Sequence, residues 1–229
     1  MNSYYENLQF VKSRLISYMT EIFRVYGNEL MLRLEDYNLL QNTNNCIETS
    51  TATGFIMEEF IISKLEIYTS TFDGVENVKV LRVTNCSTVD NSFDCYVEYR
   101  DIYVMVNIKV EKFGSDNNAV AAINKLYQDY VIDQAEREKG FLVLKTKYFF
   151  AQSVRDGQKK IFVDGIEGYW LEEFDFSLGH QHDNRNWSNE FNPNSGRLQL
   201  SRRWRERHLL PTEEISYQRT KDFLIRIFR

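Results

Sequence analysis

The stretch DCYVEYRDIYVMVNIK at residues 94–109 constrains the fold of this chain most strongly. In its second half, β-branched residues recur at every second position, which is the period of a β-strand: Ile102, Val104, Val106, Ile108 and Val110. The intervening positions are mostly polar: Tyr103, Met105, Asn107, Lys109 and Glu111. One face of this strand is therefore expected to lie in the core, and the other to carry an amide and an amine.

The two halves of the stretch are expected to form a β-hairpin with a tight turn at Arg100 and Asp101. A turn centred between these two residues places Asp94 directly across from Asn107. Opposed residues in a sheet have Cβ atoms about 5 Å apart, so both side-chain oxygens can bind one hard cation. Lys109 lies on the same face, two positions farther along. An acid, an oxygen ligand and a lysine are thus expected to converge.

This arrangement resembles the active-site motif of the PD-(D/E)xK nuclease superfamily and, within it, of the type II restriction endonucleases. In that motif an acid on one strand is followed by acid-x-Lys on the antiparallel neighbour, commonly with a Glu on an earlier helix. Asp94 matches the first acid and Lys109 the lysine. The segment Gly54-Phe-Ile-Met-Glu58 resembles the helix that contributes the extra Glu. Asn107 departs from the pattern, because a carboxylate is expected there.

The resemblance implies Mg²⁺-dependent hydrolysis of phosphodiester bonds in double-stranded DNA at a specific palindromic site. Its expected metal ligands are Asp94, Asn107, Glu58 and the backbone carbonyl of Ile108. Lys109 is expected to orient or deprotonate the attacking water. A homodimer is also expected, because a two-fold protein reads a palindrome with one active site for each strand.

The rest of the chain predicts an α/β protein with a mixed β-sheet flanked by helices, like the restriction-endonuclease core. Apolar spacing predicts helices over about 5–40, 55–68 and 119–138, the first of them for packing or dimerisation, and continuous or broken near Gly27. Strands are predicted over 78–83 and 141–150, the latter parallel to the second hairpin strand because a helix separates them. Residues 1–229 are expected to form one domain, with a catalytic core at about 50–150. A β-rich and irregular DNA-recognition region is expected at about 151–229, with short strands at 160–163 and 169–171.

The net charge of −5 conceals a basic C-terminal region. Residues 185–229 contain ten Lys and Arg against five Asp and Glu, so the remainder carries about −10. Arginines suit phosphates, and Asn and Gln suit base edges. The expected DNA contacts here are Asn184, Arg185, Asn186, Asn192, Asn194, Arg197, Gln199, Arg202 and Arg203. The loop that leaves the catalytic strand is a second expected contact, through Ser115, Asn117 and Asn118.

The composition, with 43% apolar and 14% aromatic residues, is typical of an ordered globular protein. No apolar run reaches the ~18 residues that a membrane span needs, and the first residues do not resemble a secretory signal. Cys46, Cys86 and Cys95 lack metal-ligand spacing, which indicates reduced thiols. The protein is therefore expected to be cytoplasmic.

Two other functions fit the same residues. A sequence-specific DNA-binding protein could keep a nuclease-like fold without catalysis, and Asn107 in place of a carboxylate favours this alternative. A structure-selective repair nuclease would contact mainly the DNA backbone, and the Asn- and Arg-rich loop argues against it. The presence of Glu58, Asp94 and Lys109 in the expected order favours the site-specific endonuclease.

Overall fold

The computed structural model describes residues 2–26, 29–30, 50–71, 78–83, 91–115, 118–132, 137–157, 159–177 and 196–228. Within these residues the helices are α1 Ser3–Tyr26, α2 Ser50–Ser70, α3 Ile123–Tyr127, α4 Arg202–Arg205 and α5 Tyr217–Phe228. The strands are β1 Glu29–Leu30, β2 Val80–Arg82, β3 Cys95–Tyr99, β4 Ile102–Lys112, β5 Ala119–Ala122, β6 Glu138–Gln152, β7 Lys159–Trp170 and β8 Arg197–Gln199.

A mixed sheet with the strand order β1-β7-β6-β4-β3-β2 forms the centre of the molecule. It has five longer strands, and the two-residue β1 extends it at the edge. β4 and β6 are parallel, and the other neighbouring pairs are antiparallel. β5 and β8 form a separate two-stranded sheet. The predicted α/β class and the parallel pairing of the two long strands are confirmed.

Both faces of the sheet are covered. α1 and α2 pack on one face, where Leu8, Leu15 and Leu65 are buried with the β-branched side of β4. On the other face, Met105 and Phe141 pack with residues of β5, α3, α4, α5 and β8. The packing role predicted for the first helix is confirmed. Because both faces are covered, Asn107 and Glu111 of β4 are buried, whereas Lys112 at its end is exposed.

The segment 119–138 was predicted as one helix, and this prediction is wrong in its first turn. Residues Ala119–Ala122 form β5, α3 begins at Ile123, and a π-helix follows at Gln128–Ile132. β5 exists because it pairs with β8, which lies far along the chain. The spacing of apolar residues within a segment carries no information about such a distant pairing partner.

The central sheet continues past the boundary predicted near residue 150, because β7 pairs with β6 as far as Trp170. Asp164 and Gly165 resemble a turn in the sequence, but they lie at a register shift of the β6–β7 pair, which is a β-bulge. At Gly168 a Cβ atom would lie 3.3 Å from the Leu144 side chain, so this glycine allows close packing within a strand. Helix α5 was not predicted from the sequence.

No helix in the described part of the chain is long and apolar enough to cross a membrane. Cys95 is a free, fully buried thiol of the core, as expected for a structural cysteine. Cys46 and Cys86 lie outside the described residues.

Candidate active site

The β3–β4 hairpin determines the relative position of Asp94 and Asn107. Cys95 pairs with Val106, as the predicted register requires. Arg100 adopts a φ of 52° in the turn, a left-handed conformation that reverses the chain tightly. The backbone N–H of Asp94 donates to the carbonyl of Val106, the residue that pairs with Cys95, at 3.0 Å, so the pairing is irregular just before β3. The regular register ends at Cys95, so the predicted pairing of Asp94 with Asn107 lies beyond it, but both side chains line one cavity.

Two carboxylates lie along β4 beyond the point where it pairs with β3. The N–H of Ile108 donates to Asp94 Oδ2 at 2.7 Å. The carboxylate of Glu58, which comes from α2, lies near the N–H of Val110, and this N–H lowers its pKa. Alternate residues of a strand direct their N–H and C=O groups to the same side. Glu58 and Asp94 therefore meet at one edge of β4, and the carbonyl of Ile108 points to that edge as well.

Burial raises the pKa of both carboxyl groups. The pKa of Glu58 rises to about 7, mainly through desolvation and further through the charge of Asp94. Desolvation likewise raises the pKa of Asp94. The ammonium group of Lys109 lowers both pKa values, but among the described residues it forms no ion pair within 4 Å. Two closely placed acids with raised pKa values favour a bound cation.

The side chain of Asn107 is 4% exposed and has a fixed orientation. Its Nδ2 donates to the carbonyls of Ser92 at 2.8 Å and Val120 at 2.9 Å. Both partners are acceptors, so only the nitrogen can face them. Asn107 Oδ1 has no hydrogen-bond partner within the described part of the chain. The amide thus ties β4 to β5 and to residue 92 and leaves one buried oxygen for a ligand.

Asp94, Asn107 and Lys109 line a cavity of about 210 Å³. Its lining is completed by Asn91 and Ser92, the four residues of β5, and two cations, Lys125 and Arg197. A water molecule occupies roughly 30 Å³ of liquid, so the cavity has room for a polar ligand and several waters. The predicted acid, amide and lysine therefore meet in one open space.

Several oxygen atoms around this part of β4 are of the kind that Mg²⁺ binds. Mg²⁺ prefers oxygen ligands, and those present are the carboxylates of Asp94 and Glu58, the carbonyl of Ile108 and the unpartnered Oδ1 of Asn107. In the described residues no group of three or more His, Cys, Asp or Glu could hold a metal. A metal here would depend on two carboxylates together with neutral oxygens.

The structure brings the two predicted DNA-contact segments together. In the β5–β8 pair, Ala119 lies beside Gln199, and the N–H of Leu200 donates to the carbonyl of Asn118 at 2.8 Å. Arg197, at the start of β8, lines the cavity. Asn118, Arg197 and Gln199 therefore lie near one another and near Asp94.

The other predicted DNA contacts are less closely associated with the cavity. Ser115 is exposed, and its hydroxyl donates to the carbonyl of Lys112. Arg202 and Arg203 are exposed on α4, where Arg202 pairs with Glu206 at 3.0 Å. The remaining ones lie outside the described residues: Asn117, Asn184, Arg185, Asn186, Asn192 and Asn194.

Three polar residues of the cavity were not predicted from the sequence. Asn91 and Ser92 closely precede Asp94, and this proximity was the available signal. Lys125 fell within a predicted helix and nothing distinguished it there. Its position became evident only from the pairing of β5 with β8.

No protein-family model matches the chain, and no curated protein sequence is significantly similar to it. The resemblance to PD-(D/E)xK nucleases thus depends on the arrangement of Glu58, Asp94, Asn107 and Lys109. Function has to be inferred from the chemistry of these residues.

Proposed function

We propose that this protein is a Mg²⁺-dependent, sequence-specific double-strand DNA endonuclease of the type II restriction class. The observation that carries the proposal is the convergence of Glu58 and Asp94 on one strand edge beside Lys109. Two acids with raised pKa values, and a lysine that forms no ion pair with any described residue, form an arrangement at a polar cavity that suits metal-assisted phosphodiester hydrolysis.

The two acidic residues contribute through where the fold places their carboxylates. The N–H of Ile108 fixes Asp94 through Oδ2, so this carboxylate is oriented before any ligand arrives, and Glu58 lies beside it near the N–H of Val110. Asn107 contributes an amide dipole in place of a charge. When bound, Mg²⁺ supplies charge neutralisation at the phosphate and lowers the pKa of the attacking water.

Lys109 is the group that acts on the water and the phosphate. Within the described residues it has no ion pair, so its three N–H donors are available to ligands in the cavity. Its ammonium group would orient the attacking water and stabilise negative charge that develops at phosphorus.

Recognition is assigned to the basic C-terminal region and to the loop after β4. Arg197, Gln199 and Asn118 lie next to the cavity, where side chains that contact DNA would also position the cleaved strand. A homodimer would place one such site on each strand of a palindrome.

A second candidate function is sequence-specific DNA binding without cleavage. The observation that favours it is the pair of hydrogen bonds from Asn107 Nδ2 to Ser92 and Val120. These bonds give the amide a structural role that needs no catalysis. A carboxylate at this position could not form them.

Incubation of the protein with a plasmid of mixed sequence, in Mg²⁺ and in EDTA, tests the proposal. Discrete fragments that require Mg²⁺ are expected. Intact plasmid in Mg²⁺, together with retarded migration of a DNA duplex, would support the non-catalytic alternative instead. A Lys109→Met variant, carried through the same purification, excludes a contaminating nuclease as the source of the fragments.

A further inference from the structure

Three residues that line the cavity carry polar atoms without a partner. These atoms are Asn91 Nδ2, Ser92 Oγ and Asn107 Oδ1, none of which is hydrogen-bonded within the described part of the protein. Ser92 and Asn107 are each 4% exposed, so bulk solvent does not satisfy them. An unsatisfied buried polar group costs about 1–3 kcal/mol. Three such groups around one cavity indicate that a polar ligand belongs there.

Two positively charged side chains lie beside these atoms. Lys125 and Arg197 line the same cavity, and neither forms an ion pair with any described residue. The small sheet sets their positions: Arg197 pairs with Ala122, directly before α3 begins and carries Lys125. The two side chains therefore come from adjacent elements, although they are distant in sequence.

The cavity lining contains three cations and one carboxylate, in a chain whose net charge is −5. A guanidinium, an ammonium, an amide N–H and a hydroxyl are donors that suit the oxygens of a phosphate. We propose that Lys125, Arg197, Asn91 and Ser92 form a subsite that holds a backbone phosphate of DNA beside Asp94. The proposal rests on the proposed function for the identity of its ligand, and assigns to these residues contacts with the DNA backbone and not with bases.

Binding of short DNA duplexes in EDTA tests this subsite without any cleavage. Lys125→Gln and Arg197→Gln are each expected to weaken binding by about tenfold, since hydrogen bonds to charged groups contribute about 1.5–3 kcal/mol. Each variant should also lower the slope of log affinity against log salt by about 0.9, the value for one phosphate contact. The loss should be the same for duplexes of different sequence. Arg14→Gln is the matched control, because Arg14 is exposed on α1, on the opposite face of the sheet.

Ser92→Ala provides a second, independent readout. Removing a buried hydroxyl that has no partner among the described residues should leave the free energy of unfolding unchanged or slightly higher, while duplex affinity in EDTA falls.

Unchanged affinity and salt slope in Lys125→Gln and Arg197→Gln, with cleavage by the wild type intact, would overturn the subsite and leave the proposed function standing. Losses that depend on duplex sequence would assign these residues to base recognition and also overturn it. Absence of Mg²⁺-dependent cleavage, with the expected losses in EDTA, would overturn the endonuclease alone.

Discussion

Lys109 and Lys145 lie side by side on the parallel strands β4 and β6, yet their surroundings differ. The side chain of Lys145 is fully buried and pairs with Glu111 at 2.9 Å. Lys109 lines the cavity, and no described residue forms an ion pair with it. A buried charge with a partner is engaged within the fold, whereas a charge that faces a cavity without an ion pair is available to a ligand. The comparison separates a lysine engaged in the core from the lysine proposed to act in catalysis, on the same sheet face.

The same contrast holds between two buried acids, Glu58 and Glu172. Burial raises the pKa of Glu172 to about 8, and its Oε1 accepts hydrogen bonds from the Tyr130 hydroxyl at 2.7 Å and the Phe141 N–H at 3.0 Å. The pKa of Glu58 also rises, to about 7, but this carboxyl group lies near the opposite charge of Lys109. A raised pKa therefore does not identify an active site by itself. The neighbouring charges of Lys109 and Asp94 distinguish Glu58 from Glu172.

The largest effect is expected from Lys109→Met. Loss of the group that acts on water and phosphate should slow Mg²⁺-dependent cleavage by about 10²–10⁴-fold. Duplex affinity in EDTA and the free energy of unfolding should change little, because Lys109 has no ion pair in the described structure to lose. Single-turnover cleavage measures the effect, and Lys112→Met is the control, being an exposed lysine on the same strand. Substantial cleavage by Lys109→Met would remove Lys109 from the mechanism.

Lys145→Met should produce the opposite result. Removing one member of this buried ion pair should cost about 3–5 kcal/mol of unfolding free energy, measured by urea denaturation. The double variant Lys145→Met, Glu111→Leu should recover much of that loss, because replacing the whole pair with apolar groups is often neutral. Slow cleavage by a Lys145→Met protein of normal stability would contradict the comparison and give Lys145 a functional role.

Sequence periodicity predicted the hairpin because a strand period and a turn together determine which residues face each other. The same pattern placed Asp94, Asn107 and Lys109 close together, and all three line one cavity. The partners of Asn107 could not be predicted, since Val120 reaches it only because β5 pairs with β8. The Lys145–Glu111 ion pair could not be predicted either, because it depends on the register of β4 relative to β6. Long-range pairing was the missing information in both cases.

Glu172→Gln tests the comparison between the two acids through pH. The folded state holds the proton of Glu172 up to about pH 8, whereas the unfolded chain releases it near its ordinary pKa of ~4.5. The wild type should therefore have its full stability below about pH 4.5 and lose stability as pH rises to about 8. Glutamine cannot ionise. The free energy of unfolding of the variant, relative to that of the wild type, should therefore rise by at most about 4 kcal/mol between pH 5 and 8. Parallel stability curves for the two proteins would show that Glu172 is not protonated in the fold.

The smallest effect, and the one that best sharpens the comparison, is expected at Asn107. This side chain belongs to both kinds of surroundings: its Nδ2 is bound to Ser92 and Val120, while its Oδ1 has no partner in the described structure. Asn107→Asp replaces two donated hydrogen bonds with a carboxylate facing two carbonyls, so the unfolding free energy in EDTA should fall by about 1–3 kcal/mol. The added charge should bind Mg²⁺ more tightly, and the metal should restore part of that loss, because a ligand that binds only the folded state stabilises it. Asn107→Leu is the matched control, since it loses the same donors but offers no oxygen to a metal.

Thermal unfolding with and without Mg²⁺ separates the three proteins: the stabilisation by Mg²⁺ should be largest for the Asp variant, smaller for the wild type and smallest for the Leu variant. A Leu variant that responds to Mg²⁺ as the wild type does would show that Asn107 is no metal ligand, and an Asp variant of wild-type stability in EDTA would show that its hydrogen bonds do not hold β4 to β5.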